Sequence, residues 1–460
     1  MKRKPHLLLL YILILAGQTC PSIVNAQTAS WEELQKRPIP AWYTQARFGI
    51  FIHWGLYSVP AWATNSNADG FGSNYAEWYW ERLNNTKLKI HKEFVDFHNR
   101  VYGPQAKYTD FAPRFTCELF DPAQWAQLFK QSGARYVVLT SKHHDGFALW
   151  PSRESWNWNA MDAGPHRDLA GELSDAVKKE GQHMGFYYSL YEWYNPLYRQ
   201  DVNKYVDQHM LPQLRDLVNR YKPDIIWPDG EWDHSDTVWR SREFLQWLYT
   251  KSPVSATVVT NDRWGAGRDR GGFNTTEYGS GKASLERPWE ECRGIGESFG
   301  FNRNENLDQY ASSQKLVHTL IDVVSRGGNL LLNIGPAADG TIPVIMQQRL
   351  RDIGDWLNVN GEAIYETQAW RKAPATGSGI RFTRKGRDVY VICTSWQNEI
   401  SLPLPARPTE VKMLGMTEKP KTSYKSGKLM IKAPNVNPGN MPCQYAWVYK
   451  LSSVLDADDK

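Results

Sequence analysis

Cysteine is scarce in this chain: five in 460 residues, one of them in the amino-terminal segment. The other four, Cys117, Cys292, Cys393 and Cys443, are scattered with no CxxC pair, which argues against a structural zinc site. An oxidising compartment would permit a disulfide among them, but spacing alone implies none. Charge of one sign is equally lacking. Lys2, Arg3 and Lys4 belong to the amino-terminal segment, and subtracting them from the formal +5 leaves +2. A chain so balanced carries no electrostatic signature of nucleic acid or a membrane surface. There is no GxGxxG after the first apolar run, no HExxH or HxH, no internal repeat and no low-complexity linker. The missing glycine fingerprint weakens an open dinucleotide-binding sheet.

Long hydrophobic runs are confined to the start. "LLLLYILILAG" follows the basic residues and leads to "VNA" ending at Ala26, the pattern of a cleaved export signal. Residues 1–26 are therefore expected to be removed, leaving a soluble periplasmic or secreted protein with no membrane span. What the chain has in abundance is aromatic surface: 21 Trp and 23 Tyr. Most must be core, yet rings with a flat apolar face and a polar handle also suit carbohydrate, whose C–H faces pack against them.

Apolar runs recur at 49–55, 136–144, 184–190, 224–230, 257–264 and 329–336, with helical stretches between them. "DPAQWAQLFKQSG" reads as a helix with Asp121 as its cap, Pro122 at its first position and Gly133 just past its end. "GELSDAVKKEG" and "LPQLRDLVNRYKP" have similar boundaries. Near-continuous apolar strands alternating with helices predict a parallel sheet, and over residues 27–366 a (β/α)8-like barrel of the TIM type. After "LNVNGEAIY" the segments become short, alternating and turn-separated, so 367–460 reads as a small antiparallel β-sandwich packed directly on the barrel.

Barrel chemistry gathers where strands end. His53, the pair His143 and His144, Tyr187, Asp229 and Arg263 lie at successive run ends, and Glu277 follows in "FNTTEYG". Each alone has an ordinary structural reading; six on one rim do not. Three chemistries compete. The alternating Asp229, Glu231 and Asp233 of "WPDGEWD" suggest a calcium loop, but His234 and Arg240 occupy the positions where such a loop needs Gly and a bidentate Glu. A transition metal on His53, His143, His144 and Asp145 is disfavoured because adjacent strand residues point to opposite faces. Glycoside hydrolysis needs two carboxyl groups flanking the scissile bond, and Asp229 with Glu277 would serve. No metal or cofactor is expected.

From about Trp31 to Arg384 the chain resembles the α-L-fucosidases of glycoside hydrolase family 29. The resemblance rests on "ARFGIFIHWGLYSVPAWA", "YAEWYW", "TSKHHDGFALWPS", "GFYYSL", "PDIIWPDG", "VVTNDRWG", "TTEYG", "RGIGESFGFNRNE" and "RGGNLLLNIGPAADGTIP". It implies a catalytic barrel, a C-terminal sandwich and a retaining, exo-acting attack on terminal α-L-fucosyl groups of oligosaccharides or glycoconjugates. Asp229 matches the family's nucleophile and Glu277 its acid/base. Trp227 matches the family's pocket tryptophan, His53, Glu77, His143, His144, Tyr187 and Arg263 match residues that bind the fucose hydroxyls or orient the carboxylates, and Trp78 and Phe299 the aromatics shaping the pocket. "PWEECRG" offers Glu290 and Glu291 as rival acids, although the "NDRW…TTEY" block favours Glu277. Some members cover the pocket with an aromatic from the loop between Trp62 and Tyr75, where this chain offers only Phe71. A related α-L-galactosidase and a non-catalytic fucose-binding protein are the alternatives; aryl fucoside and aryl galactoside hydrolysis separates them.

Overall fold

The apolar runs form strands β1 (Phe48–Ile52), β2 (Tyr136–Lys142), β3 (His183–Ser189), β4 (Ile225–Asp229), β5 (Val259–Thr260) and β8 (Asn329–Ile334), with β6 (Asn274–Glu277) and β7 (Trp289–Gly294) between the last two. The computed structural model describes residues 28–267, 270–279, 287–375 and 379–455, so the expected export signal lies outside it. Within the described residues no helix is long and apolar enough to cross a membrane. The order is β5-β4-β3-β2-β1-β8-β7-β6, with every pairing parallel. A single parallel bridge, Asn261 to Phe273, closes the ring between the edge strands. There the Phe273 amide donates to the Thr260 carbonyl at 3.0 Å. A Cβ on Gly272 would stand 1.8 Å from that same carbonyl oxygen, so the closure needs glycine. The architecture is the expected (β/α)8-like barrel.

β1, β2 and β8 are buried at every residue because helices cover them outside and the barrel core fills them inside. β6 and β7 read instead as "NTTE" and "WEECRG", polar strands whose inward groups hydrogen-bond within the barrel. An apolar-run criterion misses both. The run at 257–264 also shortens to two strand residues, because the chain turns there to place Arg263. The helix at Pro122–Gln131 has its cap as read: Asp121 Oδ1 accepts from the amides of Ala123 and Gln124 at 2.9 and 3.1 Å. Gly133 follows at φ +85°, where a side chain would be strained.

Beyond the helix Val344–Asn360, two antiparallel sheets follow. The larger holds β9 (Gln368–Ala369), β10 (Ile380–Lys385), β11 (Asp388–Cys393), β13 (Glu410–Met413) and β16 (Trp447–Ser452); the smaller holds β12 (Glu399–Pro403), β14 (Lys421–Lys425) and β15 (Lys428–Lys432). Val389, Val391, Cys393 and Leu451 pack against Ile400, Leu402, Leu429 and Ile431 between the sheets. Tyr390, Ile392 and Val448 point the other way into the barrel's core. The Trp356 indole donates to the Ala446 carbonyl across this junction at 2.9 Å. All four described cysteines are free.

Candidate active site

A cavity of about 360 Å³ opens at the C-terminal ends of the strands, and all eleven expected site residues line it. His53 follows β1, His143 and His144 follow β2, Tyr187 lies in β3, Asp229 ends β4, and Glu277 ends β6. Arg263 stands three residues past β5, while Glu77 and Trp78 come from the short 3-10 turn Ala76–Trp78. The two adjacent histidines do not diverge as regular strand geometry predicts. The β2–β3 register shifts between Thr140 and Lys142, and both rings enter the cavity with centroids 4.1 Å apart.

Arg263 organises the two carboxylates. Its Nη1 donates to Asp229 Oδ1 at 2.6 Å, its Nη2 to Glu277 Oε1, and its Nε to Thr275 Oγ1 at 3.1 Å. The guanidinium is 1% exposed and lies 4.6 Å from the Trp227 ring centroid. Tyr187 adds a second donor, its hydroxyl 2.9 Å from Asp229 Oδ2. Burial pushes the Asp229 carboxyl up, but the Arg263 cation and the hydrogen bonds from Arg263 and Tyr187 outweigh it and hold the group below the ordinary carboxylate value. Asp229 is thus kept ionised although it is buried.

The histidines are kept neutral by burial, with His53 pulled down to about 3, His144 to about 4 and His143 well below its ordinary value. The networks around them select tautomers. Asn333 donates its amide to the Phe299 carbonyl at 2.7 Å, so its Oδ1 accepts from His53 Nδ1 at 2.7 Å. Ser189 donates to the Tyr191 carbonyl at 2.6 Å and accepts from His144 Nδ1 at 2.6 Å. Each ring is left with Nε2 as an acceptor. The His143 Nδ1 is buried with no partner among the described residues. Glu77 accepts from the Gly300 amide at 2.8 Å, and burial raises it to about 7. Phe299 packs against His53 and Tyr75, with centroids 4.9 and 5.3 Å away. A polar side dense in acceptors and donors therefore faces an aromatic wall, the arrangement for a polyol with one apolar edge.

The rival acids sit elsewhere. Glu290 points into the barrel beneath the cavity, where Tyr43 and Tyr136 donate to Oε2 at 2.9 and 2.6 Å and the Trp227 indole donates to Oε1 at 2.9 Å. Glu291 faces outward and binds Thr276 and Arg293. Neither lines the cavity. Of the remaining acids in "WPDGEWD", Asp233 accepts from Tyr198 at 2.8 Å and Glu231 is 2% exposed outside the cavity lining. Sequence reasoning missed Tyr75, Cys292 and Trp232, which do line it. Only the position of Trp232, three residues past Asp229, could have drawn attention to it.

Two family models match the chain, "Alpha-L-fucosidase" over residues 16–362 and "Alpha-L-fucosidase C-terminal domain" over 374–452. An alpha-L-fucosidase of Branchiostoma floridae is 44% identical over 443 residues, 93% of this chain and 96% of that one. The tissue alpha-L-fucosidase of Homo sapiens is 42% identical over 471 residues, 98% of this chain and 97% of its own. Among solved structures, Thermotoga maritima alpha-fucosidase in complex with a mechanism-based inhibitor superposes with a TM-score of 0.77 at 36% identity, covering 92% of this chain and 99% of the other. The chain belongs to the alpha-L-fucosidase family of glycoside hydrolases.

Proposed function

We propose that this fucosidase releases terminal α-L-fucosyl residues from glycans with net retention, Asp229 acting as nucleophile and Glu277 as acid/base. The observation that carries the reading is the single guanidinium joining both carboxylates. Two oxygens held by the two terminal nitrogens of one planar fork sit a few ångström apart, nearer the roughly 5 Å of retaining pairs than the 6.5–9.5 Å that an inverting pair needs for an intervening water.

In the first step Asp229 attacks the anomeric carbon, forming an ester bond as the glycosidic C–O bond breaks. Glu277 gives its proton to the departing oxygen. A water then attacks the same carbon, Glu277 takes its proton, and the ester opens. The neutral histidines, Glu77, Tyr187 and Arg263 read the sugar hydroxyls, since leaving a buried polar group unpaired costs about 1–3 kcal/mol, while Trp227, whose indole N–H is committed to Glu290, offers only its ring. Trp78 and Phe299 face the apolar edge that carries the methyl group. The basic, apolar and small-residue order of residues 1–26 supports export to the periplasm or the medium, where such glycans are met.

The test is Asp229→Gly. It should nearly abolish turnover of an aryl α-L-fucoside, and azide should restore it in part, yielding a fucosyl azide of the anomer opposite to the substrate's. Near-wild-type turnover would remove Asp229 from the role.

A further inference from the structure

The floor and walls of the cavity account for one sugar, but its rim carries rings that this sugar does not use. Of the three exposed Phe and Trp side chains among the described residues, Phe71, Trp156 and Trp232, two border this one opening. Trp232 is 40% exposed, yet its indole is held in place. It lies near-parallel to Trp78, with centroids 6.3 Å apart and planes 25° apart, and is braced by His144 at 5.5 Å and Tyr191 at 5.9 Å. Phe71 is 70% exposed and meets Tyr75 and Tyr278 edge-on at 5.5 and 6.2 Å. Trp232 rises from the loop that follows the proposed nucleophile. Phe71 leans on the residue next to the proposed acid/base, so each ring borders the cavity mouth beside one of the two proposed catalytic groups.

We infer that Trp232, with Phe71 opposite, forms a leaving-group subsite that stacks a pyranose ring of a neutral saccharide just outside the fucose cavity. The inference rests on the proposed function. A pyranose offers a flat C–H face to an indole while its hydroxyl edge stays in water, so an exposed aromatic face gains contact and loses ordered solvent when the ring docks. Because three neighbouring rings already fix Trp232, little side-chain freedom is lost on binding. Trp232 therefore carries more of the contact than Phe71.

The subsite predicts a dependence on the aglycone that is measurable as a ratio: kcat/KM for a fucosylated oligosaccharide divided by kcat/KM for α-L-fucosyl fluoride, whose leaving group has no ring. Each variant is its own control, because any loss of folded enzyme cancels in the ratio. Trp232→Ala should lower the ratio about tenfold, Phe71→Ala should lower it less, and Trp232→Phe should recover most of the loss. A ratio within about twofold of wild type in Trp232→Ala, or no recovery in Trp232→Phe, overturns the subsite. If wild type cleaves neither compound, the fucosidase mechanism itself fails; fluoride cleavage with an unmoved ratio fails the subsite alone.

Discussion

Replacing Arg263 by Gln is the most demanding perturbation of this site, because one side chain serves both carboxylates. The substitution removes the cation 2.6 Å from Asp229 and the donor to Glu277, and leaves Asp229 with the Tyr187 hydroxyl and a neutral His144. A charge-assisted hydrogen bond contributes about 1.5–3 kcal/mol, and one pH unit corresponds to about 1.4 kcal/mol. The Asp229 carboxyl should therefore rise by about one to two units. Since the nucleophile works ionised, the acid limb of kcat/KM on an aryl α-L-fucoside, measured from about pH 3 to 8, should move up by the same amount. Its plateau should fall about 10²–10³-fold, as for removal of a preorganised charge at a reacting centre. Stability has its own sign. A depressed carboxyl stabilises the fold above its ordinary value of 3.8 and loses that contribution as the pH falls through its lowered value. The melting deficit of the variant should accordingly be full at neutral pH, about 3–5 kcal/mol for breaking a buried pair, and shrink below about pH 4. Arg263→Lys, which keeps the charge without the fork, should fall between. An acid limb at the wild-type pH together with a plateau within about threefold of wild type would refute the role given to Arg263.

Glu277→Ala should lose about 10²–10⁴-fold on a poor leaving group and far less on an activated aryl fucoside, with azide giving a product that keeps the substrate's anomeric configuration; equal losses on both substrates would count against acid catalysis. Glu290 is pushed up to about 7, chiefly by burial, so the native state holds extra protons from pH 4.5 to about 7 and loses stability as the pH rises through that window. Glu290→Gln should remove that slope, about 3 kcal/mol, while keeping kcat/KM within about tenfold, and a loss beyond about 10³-fold would reinstate Glu290 as an acid candidate. Lys142 is wholly buried, ion-paired to Glu192 and 4.1 Å from the Tyr188 ring centroid. Lys142→Met should cost about 3–5 kcal/mol and lower Tm by several degrees, and a melting curve superposable on wild type would contradict the buried-pair argument.

The chain's local patterns determined much of this protein. Alternating apolar strands and capped helices specified a parallel barrel, because a strand buried on both faces must be apolar nearly throughout. Groups at run ends such as His53 and Asp229 announced the site, because in this architecture the C-terminal ends of strands share one rim. The same logic failed where the barrel interior is polar. β6 and β7 carry Thr275, Glu277 and Glu290 inward, and their burial is made tolerable by partners on other strands and loops: Arg263 for the first two, and the sequence-distant Tyr43, Tyr136 and Trp227 for Glu290. Only the tertiary structure decided that His143 and His144 share a face, because a register shift in β2 re-aims them. It also separated the three acids of "WPDGEWD" and left Trp232 at the mouth. Periodicity reports which face is buried; which charge meets which cation depends on how eight strands close into a ring.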